Sequence, residues 1–136
     1  MKKFALIAHT ADIGLMAYGQ NLAEAFGNAA YGLFSIMTDT RKVRRIESRE
    51  IELHANTPED LLFEWLNHLI YLSDAEQFIF KECCIQECDG YKIKAVCYGE
   101  KFDSPRHKMK RGVKAATYHM LRVDLEKNQV QVIFDI

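Results

Sequence analysis

The sequence predicts an α+β domain in which two helices cover a mostly antiparallel sheet. Three observations carry this expectation. Two segments place apolar residues at helical spacing behind good N-caps, one at Leu22–Met37 and one opening at Thr57-Pro58-Glu59-Asp60. About seven shorter runs have strand character. The runs are separated by turn residues, most clearly Asp89-Gly90.

In chain order, Lys3–Ala8 is mostly apolar and reads as a first strand. The start is basic, but the apolar run breaks at His9-Thr10-Ala11-Asp12, too early for a signal peptide. Ile13–Tyr18 resumes as a second strand, and Gly19-Gln20-Asn21 ends it. In the first helix, Asn21 suits the N-cap and Glu24 the N3 position. Its apolar stripe is Leu22, Ala25, Phe26, Ala29, Leu33, Ile36 and Met37. Gly27 and Gly32 are costly inside a helix and imply close packing against a neighbour. Arg41–His54 has strand character, interrupted near Glu47-Ser48. The second helix has Thr57 as N-cap, Pro58 at N1 and a buried stripe through Leu61, Leu62, Trp65, Leu66, Leu69 and Ile70, and should end between Ser73 and Gln77. Phe78–Glu87 and Tyr91–Tyr98 form a hairpin about Asp89-Gly90. Gly99–Arg111 is a polar, basic loop. Val113–Leu125 is a long strand, and after the turn Glu126-Lys127-Asn128 the last strand runs from Gln129 to Ile136. Strict alternation in the long strand would place His119 with Val113, Ala115 and Thr117, as a core histidine.

With 136 residues, 49% of them hydrophobic, the chain suits one soluble domain, residues 1–136, with a single core. The net charge of -1 provides no global drive toward nucleic acid or anionic membrane. Any RNA contact would be local, and two basic runs are the candidates: Arg41-Lys42-Val43-Arg44-Arg45 and Arg106-His107-Lys108-Met109-Lys110-Arg111. Each also reads as a solvated face, since neither is interleaved with stacking aromatics. No apolar stretch reaches the roughly 18 residues that a membrane crossing needs. The cysteines Cys83, Cys84, Cys88 and Cys97 form no C-x-x-C pair, so reduced thiols in the cytoplasm are expected. A zinc site from Cys84, Cys88 and His107 has poor spacing. Nucleophile elbows, phosphate-binding glycine loops and H-E-x-x-H are all missing from the sequence, which favours a helper protein over an enzyme.

The last strand ends Phe134-Asp135-Ile136. Held in a sheet, it would carry the Asp135 carboxylate one residue from the α-carboxylate of Ile136. Two fixed negative groups that close repel each other unless a cation sits between them. Asp12 would be a third. Three carboxylates supply up to six oxygens, which suits calcium better than magnesium or manganese, and the lack of a thiolate disfavours a soft metal. Taken singly, Asp12 also reads as a turn residue and Asp135 as a strand-end charge. His9 reads as a structural, hydrogen-bonding histidine. Lys114 reads as a cation for phosphates or an acidic partner, as a solvated lysine, or as an ion-pair partner of Asp12.

Five pieces, in order, resemble the archease family along essentially the whole chain: His9-Thr10-Ala11-Asp12, Leu22-Ala23-Glu24-Ala25-Phe26, Leu61-Leu62-Phe63-Glu64-Trp65-Leu66-Asn67, Lys114-Ala115-Ala116-Thr117-Tyr118-His119 and Phe134-Asp135-Ile136. The resemblance implies a strand-helix-strand-strand (SHS2) fold with an inserted segment and a metal site on Asp12, Asp135 and Ile136. It implies a non-enzymatic activator of the RtcB-type tRNA-splicing RNA ligase, promoting guanylylation of the ligase histidine and multiple turnover. tRNA and the nucleotide triphosphate would be met through the ligase, with His9, Lys114 and His119 as contacts to partner or nucleotide. Two alternatives stand beside it. One is a chaperone-like modulator of a tRNA methyltransferase, and the other a small metal-dependent hydrolase using the same carboxylates.

Overall fold

The computed structural model describes residues 2–8, 11–103 and 105–136. The elements follow in the order β1 (Phe4–Ala8), β2 (Asp12–Tyr18), α1 (Leu22–Met37), β3 (Glu47–His54), α2 (Pro58–Glu76), β4 (Phe78–Cys88), β5 (Lys92–Lys101), β6 (Ala115–Asp124) and β7 (Gln129–Asp135). Both helices start at the expected caps. Asn21 accepts from the Glu24 N–H at 2.8 Å, and Thr57 accepts from the Asp60 N–H at 3.1 Å with Pro58 in the first turn. Gln77 closes α2 in the left-handed region, at φ 51°.

The antiparallel expectation holds, but the strands divide into two sheets. One has the order β1-β2-β7-β6, and the other β3-β5-β4. Both helices touch both sheets, α2 through β6 and β4 and α1 through β2 and β4. A Cβ on Gly32 would lie 2.7 Å from Leu15 Cδ1 of the first sheet, and one on Gly27 would lie 3.2 Å from Ile85 Cγ1 of the second. The glycines therefore let α1 sit against both sheets at once. Trp65 of α2 is fully buried and donates its indole N–H to the Phe26 carbonyl at 3.1 Å, which fixes α2 to α1.

Three expectations need correction. The segment from Arg41 does not begin a strand; β3 starts only at Glu47. The Asp39 carboxylate accepts from the Arg41 N–H and grips its guanidinium, which winds Thr40–Lys42 into one 3-10 turn. His119 is exposed and not in the core. The β6–β7 register jumps between Thr117 and Arg122, with Met120 at φ 54°, so period-two alternation fails there. The Tyr118 ring stacks on Phe63 of α2, centroids 4.0 Å apart. The reduced-thiol reading fails for Cys83 and Cys97, which face each other across β4 and β5 and form a disulfide with Cα atoms 4.0 Å apart. Cys84 and Cys88 are free.

A buried charge cluster pins the loop after β5. Glu100 and His107 are each 3% exposed. The Arg106 guanidinium meets both Glu100 oxygens at 2.6 Å, and the Arg44 N–H donates to Oε2 at 2.7 Å. His107 Nδ1 accepts from the Asp103 N–H at 2.8 Å, so Nε2 carries the proton and donates to Glu100 Oε2 at 2.9 Å. Arg106, against the opposing effect of burial, holds the Glu100 pKa down at about 2 from an ordinary 4.5, with Arg44 and His107 assisting. A carboxylate whose folded pKa is depressed stabilises the fold above its unfolded pKa, and that contribution fades as pH falls through the folded one. Glu100→Gln removes the carboxylate that grips Arg106, leaving it only the longer contact to Asp103 at 3.6 Å, and should cost about 2 kcal/mol at neutral pH. In urea titrations, its deficit against the wild type should shrink between pH 4.5 and about 2. A deficit independent of pH contradicts this account.

Candidate metal centre

Asp12 is the first residue of β2 and Asp135 the last of β7, and the register places them directly opposite each other. Such pairs project to the same face, with Cβ atoms about 4.5–5.5 Å apart. The adjacent pair, Ile13 and Phe134, is buried at 5% and 0% exposure in the core beneath the helices. Period two therefore turns both carboxylates to the opposite, outer face. There, Asp12 Oδ1 is buried and, among the described residues, has no hydrogen-bond partner. An unpaired buried carboxylate oxygen is costly unless a counter-charge meets it. Asp135 is exposed, so the pair is open to solvent on one side.

The backbone around this pair is held on both sides. The Lys114 N–H donates to the Asp135 carbonyl at 2.9 Å, and Ala115 lies across from Asp135 in β6. The Ile136 N–H reaches the Ala11 carbonyl at 3.4 Å, and the Ile136 side chain packs on the core. Asn67 of α2 acts as a short substitute for a neighbouring strand. Its amide donates to the Ala116 carbonyl at 3.2 Å and accepts from the Ala116 N–H at 2.9 Å. In the sequence, Asn67 stands out only as part of a motif. Its signal is a lone amide between Leu66 and the apolar pair Leu69 and Ile70 of the helix's apolar stripe.

The structure thus brings Asp12, Asp135 and Ile136 to one end of the four-stranded sheet. Lys114 is adjacent through its backbone, but its side chain is exposed, and among the described residues it makes no ion pair with Asp12. It borders a separate cleft of about 330 Å³ with Asp74, Phe102 and Met109. His119 lies further along β6, beyond the bulge, and His9 lies outside the described residues. Among the described residues, no three His, Cys, Asp or Glu side chains converge as a metal cluster, so the side-chain donors here are two carboxylates. The zinc reading falls. Both ring nitrogens of His107 are engaged by Asp103 and Glu100, and burial pushes the Cys88 thiol up to about 11.

Asn67→Ala should lower stability by about 2 kcal/mol, since it leaves both Ala116 backbone groups without their partner. In hydrogen exchange, the Ala116 amide should lose protection while the α1 amides keep theirs. Unchanged protection at Ala116 contradicts the bracing role.

The family model described as "Archease protein family (MTH1598/TM1083)" matches residues 4–136. "Protein archease" of Sulfurisphaera tokodaii is 38% identical over 135 residues, covering 98% of this chain and 97% of its own. That of Pyrococcus abyssi is 40% identical over 127 residues, covering 91% and 89%. The solution structure of Methanobacterium thermoautotrophicum protein 1598 superposes with a TM-score of 0.80 at 33% identity over the full length of both chains. A Thermotoga maritima crystal structure, described as an archease and possible chaperone, shares the fold with a TM-score of 0.66 at 23% identity, covering 96% and 94%.

Proposed function

The chain belongs to the archease family, and we propose that it is a non-enzymatic activator of an RtcB-type RNA ligase, working through a divalent cation held by Asp12 and Asp135. The observation that carries this reading is the buried Oδ1 of Asp12, without a partner among the described residues and directly across the strand pair from a second carboxylate. Ile136 supplies a third oxygen donor in this reading, through its main-chain oxygen. The donor set is all oxygen, which favours calcium, with magnesium or manganese as alternatives. When bound, the cation supplies a fixed positive charge that can organise phosphate oxygens at the ligase's nucleotide centre. The chain's own residues present that charge: β2 and β7 fix the two carboxylates, and Asn67 and Lys114 brace the strand beside them. The exposed Lys114 and His119 side chains are available to partner or nucleotide. This role belongs to tRNA splicing and RNA repair in the cytoplasm, where the ligase meets its tRNA.

The test uses charge removal that keeps shape. In thermal unfolding without metal, Asp12→Asn should be at least as stable as the wild type, because the repulsion is gone. Calcium at about a hundred times its dissociation constant should stabilise the wild type by about 2.7 kcal/mol and leave Asp12→Asn and Asp135→Asn unmoved. In a guanylylation assay with the ligase, both variants should lose the stimulation that the wild type gives, as should the wild type with chelator. Full stimulation by both variants sinks the proposal.

A second reading is a chaperone-like modulator of a tRNA methyltransferase. It draws on the exposed apolar residues Leu6, Ile7, Tyr118 and Met120, and on the possible-chaperone description of the Thermotoga protein. Suppressed aggregation of such an enzyme that persists in chelator would favour it.

A further inference from the structure

The two basic runs, far apart in sequence, are joined in space. Thr38, just past α1, donates its hydroxyl to the Lys108 carbonyl at 3.0 Å and bridges to Met109. The Lys110 N–H donates to the Met37 carbonyl at 2.8 Å. Glu100 binds one run through the Arg44 N–H and the other through Arg106. Positions 39–45 and 100–111 together hold nine Lys and Arg against three Asp and Glu, a local charge of +6 in a chain of net -1. The opposite signs are therefore segregated on this molecule, with the acidic excess elsewhere.

Between the runs lies a cleft of about 490 Å³, lined by Tyr31, Thr38, Thr40, Lys42, Lys108 and Lys110 among others. Several of its cations have internal partners. Arg41 is paired with Asp39, Arg45 with Glu82 and Arg106 with Glu100. The Lys110 ammonium donates to the Ser35 carbonyl in the last turn of α1, which is a helix-capping role. Lys42 and Lys108 differ: both are exposed, and among the described residues neither side chain makes an ion pair or hydrogen bond. The Tyr31 hydroxyl accepts from Thr40 at 3.4 Å, which leaves its own proton to donate outward. Tyr31 and the two free ammonium groups thus offer donors to one cleft, on backbone that the buried Glu100 cluster holds in place.

We propose that this cleft binds the phosphodiester backbone of a nucleic acid, with Lys42 and Lys108 as phosphate contacts and Tyr31 as a hydroxyl donor between them. Charged oxygens spaced along a strand match spread, flexible lysines. A protein partner would anchor on a cluster of aromatic and aliphatic side chains, whereas this lining has Tyr31 as its one aromatic, no aliphatic residue, and Asp39 as its one acid, already held by Arg41. The site is separate from the Asp12–Asp135 pair, and its test needs neither metal nor ligase, so the two proposals stand or fall apart.

Fluorescence anisotropy with a short single-stranded oligonucleotide, as RNA and as DNA of one sequence, tests the inference on the whole chain between about 50 and 200 mM salt. The wild type should bind with a negative log–log salt slope. In Lys42→Glu/Lys108→Glu, affinity should fall about tenfold or more, and the slope should shrink by about 0.7 for each phosphate no longer neutralised. Lys42→Ala/Lys108→Ala should show the same change in slope, which covers the case in which charge reversal unfolds the protein. Reversing the exposed Lys94 and Lys127 should change little. Tighter binding of RNA or of DNA assigns the source of the backbone. An equal loss in the Lys94→Glu/Lys127→Glu control, no wild-type binding at the lower salt, or polyglutamate competing as well as unlabelled oligonucleotide would overturn the proposal.

Discussion

The pairing of β2 with β7 is the constraint on which the rest of the molecule depends. It joins opposite ends of the chain, and its register decides which face each residue meets. With Asp12 opposite Asp135 and Ile13 opposite Phe134, the apolar pair enters the core and the acidic pair faces out. A slip of one residue in both strands would exchange them, burying carboxylates and exposing an isoleucine and a phenylalanine. The hydrophobic effect on Leu15, Ala17, Val130, Val132 and Phe134, all 2% exposed or less, is therefore what holds two like charges side by side. Their repulsion is small against that burial, so the fold can keep an electrostatically unfavourable pair.

Helix α1 carries that constraint to the rest of the fold. It lies close to Leu15 on one sheet and Ile85 on the other, through the two glycines where a Cβ would crowd the contact. Trp65 then ties α2 to it, and Asn67 on α2 reaches the strand that flanks Asp135. At the C-terminal end of α1, the Glu100 cluster gathers two basic segments. The molecule thus has an acidic end built by strand register and a basic cleft built by a buried ion pair, each fixed by contacts distant in sequence.

Local signals made much of this legible. Asn21, Thr57 and Pro58 marked both helix starts, because capping is decided within three residues. Gly27 and Gly32 announced close packing, although not that it occurs on two sides. The Asp89-Gly90 turn marked its hairpin, with Gly90 at φ +98°. The division into two sheets was not legible, since strand pairing is non-local and the pattern of one strand does not name its neighbour. The same limit hid the Cys83–Cys97 disulfide, which follows from the β4–β5 register, and the exposure of His119, which follows from the β6 bulge and the stacking of Tyr118 on Phe63. In the candidate centre, Asp12 and Asp135 were legible from residue type and position. The orphaned Oδ1 and the brace from Asn67 needed coordinates.

The most direct measurement is a crystal structure of the protein grown with calcium. The account predicts density for one ion on the outer face of the β2–β7 end, with Asp12 and Asp135 oxygens at about 2.3–2.6 Å. An ordered sheet end with the two carboxylates facing only water at saturating calcium would contradict it.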